Sequence, residues 1–522
     1  MSFRLTYASM YNPPESMHIA YESALSQVLS GLGQRQELFI NGQDTPGSTY
    51  QKTVAPSNTS LTLGEFAMAD REQVESAMQI AQKAYPMWRS LTVSERANYL
   101  RKVADIMEAR VYHIAAALSL EVGKNRMEAL GEAQETVDFF NQYANDFEQA
   151  NGFDKPLPND PLEGIVSTNR SVLRPYGVWA VIAPFNFPLA LMGGPTAAAL
   201  VTGNVVIAKS SSNTPWAGRL LADCIRDAGL PAGVFQLLNG SATEVGQTLS
   251  EHPQLAGITF TGSVTVGKHL LKQSVCGNYV KPCIAEMGGK NACIVTEQAN
   301  ITDAAAGIVR SAFGLSGQKC SALSRLYVHS AVADALIIAV KEKMAAIQVG
   351  NPCLRENWMG PVNNAASYAN YQKYIQQLKN PGVVIHAGGE VLTDAEYAQG
   401  YFVSPVLAEA DLNHPLWREE MFLPILMMHR FQDKEHAMHL ANDSDVGLTA
   451  GFYGNHDEVA WFQENIEAGV TYANRAQGAT TGAWPGYQPF GGWKGSGNTG
   501  KAIASFYYLP LYLREQSRNE VL

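Results

Sequence analysis

An α/β fold in at least two domains is what this sequence predicts, and three observations carry that expectation. The chain has 522 residues, more than one ordinary core accommodates. Between 176 and 295, short apolar runs at 178–183, 205–208, 234–238, 258–260 and 292–295 lack polar alternation and are separated by helical stretches such as 216–228. Strands that are apolar on both faces, with helices between them, describe a parallel sheet covered on both sides. The residues after these strands, Asn186, Lys209 to Ser212, Gly240 and Thr261-Gly-Ser263, fall where open parallel sheets hold ligands. That placement makes the stretch a candidate Rossmann-type dinucleotide-binding unit.

Composition excludes several classes of function. Hydrophobic residues make up 46% and charged residues 16%, the profile of an ordinary soluble globular protein. A formal net charge of −10 without a basic run argues against nucleic-acid binding. The first residues lack the apolar core of a signal peptide, and no segment holds about 18 uninterrupted apolar residues, so a cytoplasmic protein without a membrane span is expected. Six cysteines with no CxxC pair fit reduced thiols rather than a disulfide framework. Glu435-His-Ala-Met-His439 is not in HExxH order, and no metal is expected.

In chain order, apolar residues at helical spacing over 22–32, ended by Gly31 and Gly33, read as an appended N-terminal arm over 1–36. Residues 38–43 read as strand and turn, Asn41-Gly42 being the hairpin signal. Asp70 with Gln73 and Thr92 with Glu95 are capping-box starts, and Leu100, Val103, Ala104 and Met107 line one helix face. Helix is expected to continue to about 148. The stretch 152–160, with its Pro, Gly, Asn and Asp, reads as a linker. An exposed strand over 165–174 must pair to satisfy its edge. Beyond 320, strands at 325–328 and 383–386 and helices at 332–347 and 366–378 describe a second α/β domain. Gly495-Ser-Gly-Asn-Thr-Gly500 matches GxGxxG, but no apolar strand leads into it and Ala502 stands where a P-loop hydroxyl belongs, so it reads as a loop. The tail 506–514 reads as a strand.

Three stretches carry chemistry. Phe313-Gly-Leu-Ser-Gly-Gln-Lys-Cys-Ser-Ala-Leu-Ser-Arg325 sets Cys320 among small and polar residues. Most free cysteines are buried small hydrophobes, but here Lys319 and a helix-entry position could supply positive charge to a nucleophilic thiolate. Pro184-Phe-Asn-Phe-Pro188 offers the Asn186 carboxamide as an oxyanion donor, although Asn and Pro also favour plain turns. Ile284-Ala-Glu-Met-Gly-Gly-Lys-Asn291 places Glu286 in apolar company, as a general base or a paired structural carboxylate.

Taken in order, these motifs resemble the aldehyde dehydrogenase superfamily over nearly the whole chain. The resemblance implies a fold with a dinucleotide-binding domain over 37–157 and 176–285, a catalytic domain over 286–493, and an oligomerisation hairpin and tail over 158–175 and 494–522. It implies Cys320 as nucleophile, Asn186 as oxyanion donor and Glu286 as base. It assigns Lys209 to the adenosine ribose, and Gly240, Gly262 and Ser263 to the pyrophosphate. Ile182, Pro184, Phe185, Ser211, Ser212, Gly246 and Phe260 complete the nucleotide side. Arg418-Glu-Glu-Met-Phe-Leu-Pro424 matches EE-x-F-x-P, putting Glu420 on the nicotinamide ribose and Phe422 beside it. Ser212 stands where many members carry an acidic residue that repels a 2′-phosphate, so NADP is possible beside NAD. Paired with the projecting hairpin of a partner subunit, the tail would make a homo-oligomer.

Within the superfamily, Asn474-Arg-Ala-Gln-Gly-Ala-Thr-Thr-Gly-Ala-Trp-Pro-Gly-Tyr-Gln-Pro-Phe-Gly-Gly492 resembles the anchor loop of enzymes acting on glutamate semialdehyde. Ser321, Gly482 and Ala483 would grip the substrate's α-carboxylate end, with Phe187 and Phe490 beside its chain. Trp484-Pro485 departs from the aliphatic residues expected there. The competing readings are a related enzyme for another semialdehyde or an aliphatic or aromatic aldehyde, and a catalytically silent binding protein on the same fold.

Overall fold

The computed structural model describes residues 13–479 and 484–522. Local signals set most elements. Asp70 and Thr92 accept the backbone N–H of Gln73 and Glu95, and both residues answer with the reciprocal bond, so Arg71–Ser90 and Val93–Ala109 start where the capping boxes place them. Asn125 with Glu128 starts Arg126–Gln149 in the same way. Leu38–Ile40 and Gln43–Thr45 form an antiparallel hairpin, and the turn between them takes positive φ at both Asn41 (54°) and Gly42 (75°), as a two-residue hairpin turn requires. The N-terminal helix spans Glu15–Ser30 and begins earlier than periodicity indicated.

Among the described residues, two seven-stranded sheets dominate. The first runs Cys283–Glu286, Gly257–Thr261, Val178–Ile182, Val205–Lys209, Phe235–Leu238, Leu38–Ile40, Gln43–Thr45, its first five strands parallel. The chain moves from Val178–Ile182 outward to Phe235–Leu238, then returns to lay Gly257–Thr261 on the other side of Val178–Ile182. A crevice therefore opens at the carboxyl ends of Val178–Ile182 and Gly257–Thr261, where the strand order reverses.

The second sheet runs Val383–Ala387, Val406–Ala410, Ile425–Phe431, Leu323–His329, Asn291–Val295, Thr449–Tyr453, Val470–Ala473. This corrects the sequence reading of 292–295, which belongs here and not to the first sheet. The last strand of the first sheet is Cys283–Glu286, and the four residues Met287 to Lys290 carry the chain across between the sheets. An apolar run states that a strand is buried, not which sheet buries it.

The presumed linker contains the strand Asp154–Leu157, which pairs with Ser167–Pro175. The hairpin thus starts ahead of 158. The tail is also reassigned. Leu509–Tyr512 is a short 3-10 turn, and the strand is Leu513–Val521, antiparallel to Ser167–Pro175 of the same chain. Aromatic packing explains the shift. Tyr508 and Tyr512 are fully buried, Tyr512 lies 4.7 Å from the Trp179 ring, and its hydroxyl pairs with Thr259 Oγ1 at 2.9 Å. The Tyr512 hydroxyl donates to the Tyr508 hydroxyl at 2.9 Å, a contact that a helical turn allows between side chains four apart and that an extended strand, rising about 13 Å over four residues, does not.

Candidate active site

The carboxyl ends of the first sheet are in register: Ile182 lies opposite Lys209 and Phe260, and Thr261 opposite Glu286. Each strand releases its chain into the crevice at the height of its neighbours. Past Ile182, the Pro184-Phe-Asn segment reaches toward the second sheet, and the Phe185 ring meets the Phe422 ring edge-on at 5.7 Å. Phe422 is held at a φ of 55°, so the backbone beside the crevice is constrained. Glu420 accepts the Gly289 N–H at 3.0 Å, and a Cβ on Gly288 would stand 2.0 Å from its Oε2. A Cβ on Gly289 would stand 2.6 Å from the Cys320 carbonyl oxygen, so glycine is required there, where the chain crosses between sheets.

The nucleophile loop lies between the helix Ile301–Phe313 and the strand Leu323–His329. Asn186 Nδ2 donates to the Gln318 carbonyl at 2.9 Å, which leaves its second N–H for another acceptor. Asn291 Nδ2 donates to the carbonyls of Cys320 and Ala322, at 2.6 and 2.8 Å. The Thr449 hydroxyl donates to the Ser321 carbonyl at 3.1 Å. The peptide groups on either side of the sulfur are thus fixed from the second sheet. Asn291 and Thr449 were not singled out from sequence, because each reaches the loop only through tertiary pairing.

Glu286 ends its strand buried. Burial pushes its carboxyl up to about 8, although the Gly492 N–H offsets part of this. Its Oε2 has no hydrogen-bond partner, an acceptor position left open for a proton. Burial also pushes the Cys320 thiol up to about 12, with the charges of Glu420 and Glu286 adding to the effect and the N–H groups of Ser321 and Cys320 opposing it. Lys319 does feel the charge of Cys320, but the expected helix entry is corrected. Cys320 stands beyond a helix C-terminus. The Lys319 ammonium, itself brought down to about 8 by burial, lines a cavity of about 230 Å³ with Glu128 and Arg310. The thiol therefore rests protonated, with the Glu286 and Glu420 carboxyls near enough to act on it electrostatically.

The nucleotide side fits a dinucleotide. A Cβ on Gly262 would meet the Phe260 ring at 2.5 Å and one on Gly240 would meet Val245 at 2.2 Å, so neither turn after these strands has room for a side chain. A Cβ on Gly246 would stand 3.6 Å from Lys209 Cε, and Lys209 Nζ donates to the Ser210 carbonyl at 3.1 Å. Ser263 caps the helix Val264–Ser274 through the Val266 N–H, leaving an N-terminus suited to phosphate. The Ser212 hydroxyl donates to the Gly240 carbonyl at 3.3 Å, and Ser211 Oγ accepts the Asn213 N–H at 3.3 Å.

On the other side of the thiol, Ser321 Oγ is buried without a partner. Phe490 is buried and exchanges backbone bonds with Ile503. Phe187 packs under the Lys124 ammonium, 3.4 Å from the ring centre. Gly482 and Ala483 lie outside the described residues. Sequence reading missed the fully buried Lys124–Glu132 ion pair at 2.6 Å. Glu132 Oε1 accepts the N–H groups of Leu189 and Ala190, anchoring the loop that carries Asn186. The signal was present as charges on the buried face of a helix.

The aldehyde dehydrogenase family model matches residues 43–515. The chain belongs to the aldehyde dehydrogenase family. Among similar aldehyde dehydrogenases are proteins named 1-pyrroline-5-carboxylate dehydrogenase from Bacillus cytotoxicus, 36% identical over 517 residues, and from Bacillus mycoides, 35% identical over 514 residues; each comparison covers 97% of both chains. A solved 1-pyrroline-5-carboxylate dehydrogenase from Thermus with bound NAD superposes with a TM-score of 0.92 at 32% identity, covering 100% of this chain and 99% of that one.

Proposed function

We propose that this aldehyde dehydrogenase oxidises L-glutamate γ-semialdehyde, the open form of 1-pyrroline-5-carboxylate, to L-glutamate with NAD or NADP. The observation that carries the proposal is the meeting of Cys320, Asn186 and Glu286 between a dinucleotide crevice and the second sheet. The names of the similar proteins and the match to the glutamate-semialdehyde anchor loop support the substrate.

Cys320 Sγ adds to the aldehyde carbon and its proton passes to Glu286, which lies near enough to act on the thiol electrostatically. The adduct's oxyanion lies within reach of the Asn186 carboxamide and the Cys320 N–H, donors already oriented before charge develops. Glu420 and Phe422 would hold the nicotinamide ribose, Lys209 the adenosine ribose, and Gly240, Gly262 and Ser263 the pyrophosphate; a dinucleotide bound there would supply the hydride acceptor. Loss of hydride from carbon leaves a thioester on Cys320. Glu286, having released the thiol proton to solvent, takes a proton from water as that water attacks the thioester carbon; the C–S bond breaks, the acid leaves as carboxylate and a proton, and Glu286 returns its proton to the departing thiolate. Ser321 and Phe490 hold the remainder of the substrate. The unpaired edge of Leu513–Val521, exposed over nearly its whole length, supports assembly into a homo-oligomer, and six free cysteines fit a reducing cytoplasm.

The test is NADH and NADPH formation with glutamate semialdehyde against short aliphatic aldehydes. Higher kcat/KM for the semialdehyde, and its loss in Cys320→Ala with dinucleotide binding kept, are the expected results. Preference for an aliphatic aldehyde would overturn the substrate, and turnover by Cys320→Ala would overturn the mechanism.

A further inference from the structure

We propose that Glu128 is a positioning residue for the nucleophile, its carboxylate holding the left-handed turn over 315–317 and so setting where the Cys320 sulfur stands. The inference rests on Cys320 as nucleophile and asks nothing of the aldehyde's identity.

Three successive residues ahead of the thiol have left-handed backbone: Leu315 (φ 49°), Ser316 (φ 53°) and Gly317 (φ 69°). Glycine takes this conformation freely, but leucine and serine do not. Something must hold them. Glu128 Oε1 accepts the Leu315 N–H at 2.8 Å, while its Oε2 accepts the Asn125 N–H at 3.3 Å as part of the capping box of Arg126–Gln149. One carboxylate therefore joins the first turn of a long helix to the first strained residue of the loop.

Two further contacts complete the turn: the Ser316 hydroxyl donates to the Gly360 carbonyl at 2.7 Å, and Gln318 N–H donates to the Leu315 carbonyl at 3.0 Å. The last of these leads into the peptide whose carbonyl receives Asn186. A displacement at Leu315 is thus passed within three residues to the oxyanion donor and within five to the sulfur. Gly314 makes the approach possible, since a Cβ there would stand 3.3 Å from Glu128 Oε1 and 2.5 Å from Lys319 Nζ.

The experiment uses the full-length enzyme and measures kcat, KM, dinucleotide binding and the rate at which iodoacetamide alkylates Cys320, read by mass spectrometry of its peptide. Glu128→Ala is expected to lower both kcat and the alkylation rate about tenfold, with dinucleotide binding unchanged within about twofold. Glu128→Gln, whose amide oxygen can accept the same N–H, should recover most of both. Leu315→Gly placed on Glu128→Ala should recover part, because glycine needs no carboxylate to stay left-handed. Wild-type kcat and alkylation in Glu128→Ala would overturn the proposal, as would a loss that neither Glu128→Gln nor Leu315→Gly restores. If Glu128→Ala does not fold, Glu128→Gln decides: near-wild-type rates uphold the hydrogen bond, and a tenfold loss in a protein that still binds dinucleotide overturns it. Turnover by Cys320→Ala would instead sink the nucleophile assignment, an outcome separate from all of these.

Discussion

Replacing Glu286 by glutamine should separate the two halves of the reaction. With its carboxyl pushed up to about 8 by burial, roughly one Glu286 in ten is ionised at pH 7 and about nine in ten at pH 9. If hydrolysis of the thioester limits turnover, wild-type kcat should rise nearly tenfold across that interval and level off above it. Glu286→Gln removes the base while keeping the side chain's volume. It should retain a first burst of reduced cofactor, lose steady-state turnover by about two to four orders of magnitude, and show no inflection near pH 8. Stopped-flow absorbance gives the burst and mass spectrometry of acid-quenched enzyme detects the acyl group on Cys320. Stability should change in the opposite sense. The folded carboxyl binds its proton more tightly than the ordinary value of 4.5, so the burial penalty is absent below about pH 4.5 and grows as pH rises to about 8. Glu286→Gln should therefore gain stability over wild type through that window, by the order of a few kcal/mol at pH 9. A steady-state rate in Glu286→Gln equal to wild type, or an unchanged inflection near pH 8, would refute the assignment of the base.

Lys124→Met should destabilise the protein by about 3–5 kcal/mol, because it leaves the Glu132 carboxylate fully buried opposite an apolar side chain; urea unfolding checks this. Ser212→Glu should lower kcat/KM for NADP at least tenfold relative to NAD, since a carboxylate there repels a 2′-phosphate, and the ratio of the two kinetic constants is the readout.

Much of the fold was legible because its signals are local. The capping residues Asp70 and Thr92 and the Asn41-Gly42 turn each act within four residues of themselves, so sequence spacing carries the geometry. The strand at 292–295 was legible as a strand but not as a member of the second sheet. The tail was misread because Tyr512 answers to Trp179 and Thr259, and Tyr508 to Tyr143, all more than 240 residues away in the chain. In the site, Cys320, Glu286 and Asn186 could be named because their neighbours are unusual for their residue types. Glu128 and Glu132 could not, since their roles lie in N–H groups contributed by Leu315 and by Leu189 and Ala190.

The sequence by itself determined the alternation of strands and helices, the places where chemistry can occur, and the order of motifs that marks the family. Only the tertiary structure decided the charge state of the site. Whether Cys320 rests as thiol or thiolate, and whether Glu286 can serve as a base near neutral pH, depend on how much water is excluded and which charges close over them. Those surroundings come from segments scattered through the chain, and the cost of burying a charge is set by what surrounds it in space.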